Sequence, residues 1–514
     1  MTSFFTAAPG YCSRFGVAVL LVVLADFLFY GQPADITVFL FAILIAAAVV
    51  AVHPAAFSDI RVWLKPAALL VALLPLAENV SPLSVSIALA ALIIFALSLS
   101  GRLRHSLARI AGQIVLFGLA APFRFVSDFI RWRKTARRFG GRRVRLAAVA
   151  VWLMPLTLGA VFLALFGAAN PVIEYWLSLI DLLKLLDLIQ LARIAFWLFV
   201  LAGVWAFLRP RLPRFSWGIR RPNHALAAAQ PATNPQRHVI EDIVGKAAIL
   251  RALIVFNVLF ALQTGLDATY LWGGVALPDG LSYAAYAHRG AYPLIVTALL
   301  AAGFVLAALR PGSETSGDPL IRRLVYAWVA QNIVLVISSI LRLDLYIGIY
   351  ALTYWRIAAF VWMGLVASEL ALIIARIALE KSNEWLSSAN LLTLSLTLYA
   401  CCFINFAALI ANYNVDHSLE MTGQGIPLDA WYVRSLGPGA FPALDRFFDH
   451  QDRTAAAGAV RELEGLRASD EDWYRTVQRN WRAWSFRDWR LLAYLDSKGS
   501  LVLPQPTQPS LPGR

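Results

Sequence analysis

The residues best suited to chemistry lie in two short stretches of a largely apolar chain. The first, LPDGLSYAAYAHRGAYPLI, covers residues 277–295 and places Tyr283, Tyr286, His288 and Arg289 before an apolar run. A spacing of three puts both tyrosines on one side of a helix. Aromatic side chains at a helix entrance are typical of an anchor at the lipid headgroups, which is the more ordinary interpretation. The alternative is the rim of an outward-facing pocket.

The second stretch, RLDLYIGIYALTYWRIAAFVW, covers residues 342–362. Arg342 and Asp344 close one apolar segment, and Arg356 lies just inside the next. An arginine within a membrane span costs about 2.5–3.5 kcal/mol at the centre and less near an end. Because Asp344 is the nearest acid in sequence, a snorkelling arginine with a structural ion pair is the simpler interpretation. The alternative is a site for an anion or a lipid headgroup, built from the arginines and tyrosines such as Tyr350.

We predict that the two stretches meet in one cluster on the external side of a membrane. Helices joined by short hairpins tend to be neighbours, and arginines near lipid are stabilised by an acid, by phenol hydroxyls and by cation–π contacts. The predicted binding cluster consists of Tyr283, Tyr286, His288, Arg289, Arg342, Asp344, Tyr350 and Arg356.

The elements that position this cluster follow from composition. Of the 514 residues, 59% are hydrophobic and only 15% are charged, which is outside the range of soluble globular proteins. Apolar runs long enough to cross a bilayer recur along the chain. The prediction is an all-α, polytopic transmembrane bundle of about eleven spans. These lie near residues 15–30, 35–53, 62–77, 82–99, 146–167, 190–208, 246–265, 291–309, 322–341, 351–374 and 388–411.

Arginine-rich links predict the orientation. The net charge of +14 is concentrated in the segment 100–145 and in the link 209–243. Short basic loops mark the cytoplasmic face and attract anionic lipid headgroups, and no nucleic-acid-binding signature accompanies them. We therefore expect a bacterial inner-membrane protein with a cytoplasmic N-terminus, an external C-terminus, membrane lipids as partners and no bound nucleic acid.

One apolar segment does not fit the span pattern. Residues 109–125 are apolar over a short length and carry an arginine near each end. A half-length, basic-flanked segment is more often interfacial or re-entrant than spanning. We place it on the cytoplasmic side, since a span there would invert every later loop.

The chain divides into five predicted parts. Residues 1–208 form an N-terminal membrane half, 209–243 a basic, Pro-rich cytoplasmic linker, and 244–411 a C-terminal membrane half. Residues 412–500 form an external helical domain that is the candidate contact surface for an envelope protein, and 501–514 a disordered Pro-rich tail. The domain carries Trp473, Trp481 and Trp484 at near-helical spacing, which we interpret as its packing face.

No signature of catalysis or metal binding is present. The seven histidines form no HExxH or HxxxH pair, and the chain has no phosphate-binding loop and no nucleophile elbow. We therefore predict no catalytic residues, no metal site and no cofactor.

The two polar stretches resemble an uncharacterised bacterial integral membrane family, the domain of unknown function numbered 4173. Residues 280–290 are similar to its GLSYAEYARxG signature, residues 342–356 to its RLxLYxxxYGLTxxR pattern, and residues 426–444 to its tail. Two departures from these patterns matter: Ala285 replaces a glutamate and Ala351 replaces a glycine. The resemblance implies a bacterial inner-membrane protein and brings no activity with it.

Two classes of function remain open from the sequence. The leading one is a non-enzymatic envelope protein that senses, scaffolds or regulates, because a sizeable external domain accompanies the lack of catalytic signatures. The rival is a transporter or lipid-linked transferase with an outward-facing pocket for an anion or a headgroup, which the arginines and tyrosines favour.

Overall fold

The structure is a computed structural model that describes residues 11–53, 60–103, 106–138, 155, 158–159, 162–163, 190–211, 246–272, 318–450 and 457–498. Within these ranges every regular element is helical, and the extended pairing consists of one isolated bridge between Ser418 and Ile426. The protein is therefore an all-α, polytopic helical membrane protein, as predicted. Its contacts define two compact units, Met1–Leu103 with Ile110–Arg214 and Arg104–Arg109 with Phe215–Arg514.

Helices of unit 1 are apolar on nearly all sides, as spanning segments must be, because lipid offers no partner for backbone polar groups. They are α1 Tyr11–Phe29, α2 Ile36–Val52, α3 Leu64–Glu78, α4 Pro82–Leu99, most of α5 Leu107–Arg138, and α6 Leu191–Leu208. Ser81 and Ser84 form a capping box at the start of α4. Near the C-terminal end of α6, Trp205 and Leu208 are fully buried in the core.

Opposite ends of α1 and α6 meet, so these two helices are antiparallel. Asp26, near the end of α1, accepts from Arg193 Nε at 2.8 Å and from Trp197 Nε1 at 2.8 Å, both at the start of α6. The Arg193 guanidinium also lies 4.9 Å from the ring of Tyr30. The start of α1 and the C-terminal ends of α2, α4 and α6 therefore lie together at the opposite end of the bundle. We call this the arginine end of unit 1.

The segment predicted at 109–125 belongs to a longer helix, α5, which continues to Arg138. Its part Arg109–Arg131 has the length and hydropathy of a span. From Gln113 to Asp128, however, this helix contacts the arginine end of unit 1. These 15 residues extend over roughly 22 Å at 1.5 Å per residue. In order along α5, the contacts join Gln113 to Arg102, Phe117 to Phe207, Phe125 to Trp205, and Asp128 to Arg209. This arrangement favours a helix that lies across the end of the bundle.

Among its described residues, unit 2 begins with five helices of the membrane part: α7 Lys246–Asp267, α8 Pro319–Tyr350, α9 Tyr354–Ala378, α10 Asn383–Cys401 and α11 Phe406–Asp416. Lys246 pairs with Asp318 at 2.6 Å at the starts of α7 and α8, so these two helices are parallel. Arg322, near the start of α8, pairs with Glu380 after the end of α9, so α9 is antiparallel to both. The turn between α8 and α9 lies at the opposite end, which we call the turn end of unit 2.

Seven helices in the described ranges are long and apolar enough to cross a membrane, or eight if the bent pair α10 and α11 is one span. The predicted spans 35–53 and 62–77 correspond to the shorter helices α2 and α3, of 17 and 15 residues. The predicted span 291–309 lies outside the described residues, as do most of the span 146–167 and the tail 501–514.

After α11 the chain forms a small helical domain. Its helices are α12 Ala430–Ser435, α13 Phe441–His450, α14 Ala457–Gln478 and α15 Phe486–Lys498. The core of the domain includes Ala411 and Val415 of α11, so it is continuous with the last membrane helix.

The prediction that the tryptophans form the packing face of the domain was wrong, because Trp473 is 64% and Trp481 49% exposed. The helix that would have aligned them ends at Gln478, and a 3-10 turn follows at Trp481–Ala483.

We predict a pH dependence for this domain from Tyr494. Its phenol donates to Asp445 Oδ2 at 3.0 Å. Burial, followed by the negative charge of Asp445, raises the pKa of Tyr494 to about 12 from its usual 10.0. A raised pKa means that the contribution of Tyr494 to stability is complete below about pH 10 and is lost as the pH rises to about 12. Scanning calorimetry should show a steeper loss of domain stability over this window in the wild type than in Tyr494→Phe; parallel curves would contradict the assignment.

A reporter that is active only outside the cytoplasm tests the predicted orientation of the chain in the membrane. Fusion after Arg237 should be inactive and fusion after Tyr432 active, because the arginine-rich links favour the cytoplasmic face. Fusions after Ser106 and after Arg138 should give the same inactive result if α5 lies across the end of the bundle. An active fusion after Arg138 would show that α5 crosses the membrane.

Candidate functional site

The turn between α8 and α9 has an unusual backbone geometry. α8 ends at Tyr350, and Ala351 follows with φ 64° and ψ 175°. This backbone region is occupied almost only by glycine, because a Cβ atom clashes with the neighbouring carbonyl there. The glycine that the family resemblance implies at this position would adopt it freely. Ala351 therefore holds a strained turn that the surrounding structure must stabilise.

Arg356 stabilises the turn from the first residues of α9. Its Nη1 atom donates to the carbonyls of Tyr350 and Ala351, where the end of α8 leaves carbonyl groups without partners in the helix. Its guanidinium lies 4.8 Å from the centre of the Tyr346 ring and 6.0 Å from that of Tyr350. The arginine thus acts as a cap for the end of α8, and its charge is shared with two aromatic faces.

A second clamp reaches the turn from α11. The side-chain amide of Asn414 accepts from the Leu352 backbone N–H at 2.7 Å and donates to the Leu352 carbonyl at 3.0 Å. Asn414 and Leu352 are both buried. Around them, Ile347, Leu352 and Ile410 form an apolar cluster that also contacts Tyr432 of the C-terminal domain. The turn is therefore tied to the last membrane helix and to the domain that follows it.

A cavity of about 340 Å³ opens beside this clamp. Its lining includes Ala351, Asn414, His417 and Gln424. The His417 ring stacks on Tyr413 with 4.1 Å between ring centres, and its Nδ1 lies 2.9 Å from the Tyr413 carbonyl. The volume is at the lower end of the range for small-molecule sites and suits a headgroup-sized ligand. Burial raises the pKa of the phenol of Tyr432, which packs against the neighbouring apolar cluster.

Arg342 takes a different partner from the one nearest in sequence. It is 4% exposed and pairs with Asp267 of α7, which is 1% exposed. Gln263 also donates to Asp267, at 3.0 Å. Asp344 is exposed on α8, about 200° around the helix from Arg342. The structure therefore separates Arg342 from Asp344 and joins α7 to α8 through a buried ion pair.

Sequence reasoning missed Asp267 and Asn414. Asp267 ends α7, and a π-helical turn follows at Ala268–Trp272. Such turns are rare in proteins overall, but they are often found at functional sites. The sequence showed only that Asp267 is an acid at the end of an apolar run, and an acid in that position is equally compatible with exposure to water. For Asn414 the sequence offered no distinguishing signal.

Four of the eight residues of the predicted cluster lie within the described ranges. Tyr350 and Arg356 lie together at the turn, while Arg342 and Asp344 lie on different faces of α8. Tyr283, Tyr286, His288 and Arg289 lie outside the described residues, so the meeting of the two stretches stays a prediction. Within the described ranges no group of three His, Cys, Asp or Glu side chains is placed to hold a metal ion.

Ala351→Gly is expected to stabilise the protein. Relief of the strain at φ 64° is worth about 1–3 kcal/mol, and the added freedom of glycine in the unfolded chain costs about 0.5–1 kcal/mol. The net gain should raise the thermal midpoint of the purified protein. Ala358→Gly is the matched control: it makes the same change at an exposed position inside α9 and should cost about 1 kcal/mol. A loss of stability in both variants would contradict a strained Ala351.

The seven or eight span-length apolar helices among the described residues define a multi-pass, all-α membrane protein. The chain belongs to the family Domain of unknown function (DUF4153), which matches residues 66–447. The expectation of an uncharacterised domain family is thus confirmed, whereas the group numbered 4173 is not. The match includes the turn and Asn414, and it ends within α13. No curated protein and no solved structure matches the chain.

Proposed function

We propose that the chain is a non-enzymatic protein of the bacterial inner membrane that senses, scaffolds or regulates. Residues 412–500 are its external interaction part, with an envelope protein as partner. The observation that carries this proposal is the amide clamp between Asn414 and Leu352. It connects the C-terminal domain to a strained turn between two membrane helices, so a partner that shifts the domain also acts on those helices.

The surface of the domain supports an interaction role. Trp473, Trp481 and Trp489 are 64%, 49% and 52% exposed, respectively. Exposed tryptophans are uncommon on solvated surfaces and enriched where proteins bind one another. The same side chains also suit a membrane interface, which the test below distinguishes.

Photo-crosslinking in cells tests the interaction. A photoreactive residue in place of Trp473 should give a discrete protein adduct, because this side chain is the most exposed tryptophan of α14. The control position is Leu262, which is 63% exposed on the apolar helix α7 and should react with lipid. Lipid adducts at both positions would contradict the protein-interaction role and support an anchor at the bilayer surface.

Hydrogen exchange tests the connection between domain and helices. Asn414→Ala should speed up exchange of the amides in residues 350–356, because Leu352 loses both partners. Asn412→Ala is the matched control, since Asn412 binds Arg446 on an exposed surface. Equal exchange of the turn in both variants would show that the clamp does not connect the two parts.

The transporter or lipid-linked transferase is the second candidate, and the cavity beside the turn favours it. If Arg356 at this turn binds a lipid-linked anion, mass spectrometry of the purified protein should detect a polyprenyl phosphate carrier. Arg356→Lys should then fold and lose that carrier. If Arg356 is only a helix cap, the same variant should lower the thermal midpoint and no carrier should be found in the wild type.

A further inference from the structure

Five arginines of unit 1 converge on one acid among the described residues of the arginine end. The acid is Asp128 of α5, which is 4% exposed. Its carboxylate lies 3.4 Å from Arg209 Nη1 and 3.6 Å from Arg211 Nη1, and it accepts from Trp205 Nε1 at 3.4 Å. Electrostatic interactions or direct contacts extend the group to the other members. The five arginines are Arg14, Arg102, Arg124, Arg209 and Arg211.

Arg124 is the member whose charge is least compensated. It is 7% exposed, and its two terminal nitrogens have no hydrogen-bond partner among the described residues. The guanidinium instead lies 4.3 Å from the centre of the Phe117 ring. The Nε atoms of Arg14 and Arg209 are likewise buried without an acceptor. Buried charges are normally paired and hydrogen-bonded, since an unpaired one is costly.

Asp128 is not able to satisfy this group. Its two oxygens are already shared by Arg209, Arg211 and Trp205, all at long distances. Several positive charges therefore remain around one negative charge, and that of Arg124 is buried away from water. A phosphate group fits this surplus, because it offers several acceptor oxygens and the planar guanidinium fork binds two of them at once.

The surroundings of Arg124 indicate where such a phosphate comes from. Its neighbour Phe123 is 74% exposed, and Leu119 and Val126 on the same helix are 70% and 56% exposed. A helix with large exposed apolar side chains that lies across the end of a membrane bundle is typical of the lipid interface. A headgroup phosphate would then meet the arginines while its acyl chains contact Phe123.

We propose that the arginine end of unit 1 is a binding site for the headgroup phosphate of an anionic phospholipid, with Arg124 as its principal ligand. Arg14 and Arg209 complete the site, and Asp128 pairs with Arg209 and Arg211 while its negative charge limits the affinity for a phosphate. The proposal does not depend on the function proposed above, since it concerns unit 1 alone.

Native mass spectrometry of the full chain tests the site, with phosphatidylglycerol and phosphatidylcholine offered in turn. The wild type should retain phosphatidylglycerol, and its thermal midpoint should rise with that lipid and not with phosphatidylcholine. Arg124→Gln should weaken retention by about tenfold or more, because a charge-assisted bidentate contact is lost. Arg251→Gln, which removes an exposed arginine of α7, should leave retention unchanged.

Asp128→Asn separates a binding role from a structural one. Removing the acid should tighten retention of phosphatidylglycerol if the arginines hold a phosphate, and this readout remains if Arg124→Gln fails to fold. If inorganic phosphate raises the thermal midpoint in phosphatidylcholine as much as phosphatidylglycerol does, the phosphate site stands and its source is a soluble phosphate. Equal retention in the wild type and Arg124→Gln, or weaker retention in Asp128→Asn, would overturn the proposal.

Discussion

Arg467→Gln is expected to destabilise the C-terminal domain by about 3–5 kcal/mol, the usual cost of breaking a buried ion network by removing one partner. Arg467 is 1% exposed and donates to Asp445 at 3.2 Å and to Glu471 at 2.9 Å. Its guanidinium lies 3.8 Å from the centre of the Phe441 ring. Without it, two buried carboxylates face each other with much less compensation. Because a domain of this size is stabilised by about 5–15 kcal/mol in total, the loss is large.

Hydrogen exchange of α13, α14 and α15 in the full-length protein measures this effect. Arg434→Gln is the matched control, because Arg434 forms a two-bond pair with Asp470 at 2.8 and 3.0 Å that is partly exposed. The control should cost about 1 kcal/mol or less. Arg467→Met combined with Asp445→Asn and Glu471→Gln should recover part of the loss, since no unpaired charge remains. Equal exchange in Arg467→Gln and Arg434→Gln would refute the expectation.

Breaking the ion pair between α7 and α8 is expected to have the second large effect. Asp267→Asn or Arg342→Gln alone leaves one buried charge without its partner, at a cost of about 3–5 kcal/mol. The expected result is a strong drop in the thermal midpoint of the purified protein and in its yield. The double variant should be more stable than either single variant, because both buried charges are then absent.

A thermodynamic cycle of these four proteins gives the coupling between Asp267 and Arg342. The control cycle uses Arg322 and Glu380, an exposed pair at 3.4 Å whose side chains are 42% and 80% exposed. Its coupling should stay below about 1 kcal/mol. If the double variant loses as much stability as the Asp267 and Arg342 single variants together, the ion pair does not hold α7 and α8 together.

Hydropathy and length were enough to predict many of the described membrane helices. Apolar runs of span length predicted α1, α4, α6, α7, α8 and α9 to within a few residues at most ends, with a larger difference at the C-terminal end of α8. The physical reason is that a segment in lipid must satisfy its own backbone, which leaves the helix as the local solution. The importance of Arg356 was also visible, because an arginine at the start of a span needs acceptors close to it in the chain.

Contacts between distant residues were decided by tertiary structure. Asp344 was the acid nearest in sequence to offset Arg356, yet Arg356 donates to backbone carbonyls of the turn. The acid that pairs with Arg342 lies 75 residues away on α7. The tryptophan pattern misled because spacing defines a face only while the helix continues, and α14 ends at Gln478. Asn414 carries no local signal, and the arginine-rich links did not show which of their arginines would converge on Asp128. Side-chain hydrogen bonds and buried charges depend on which helices pack together, and that choice is made by the whole chain.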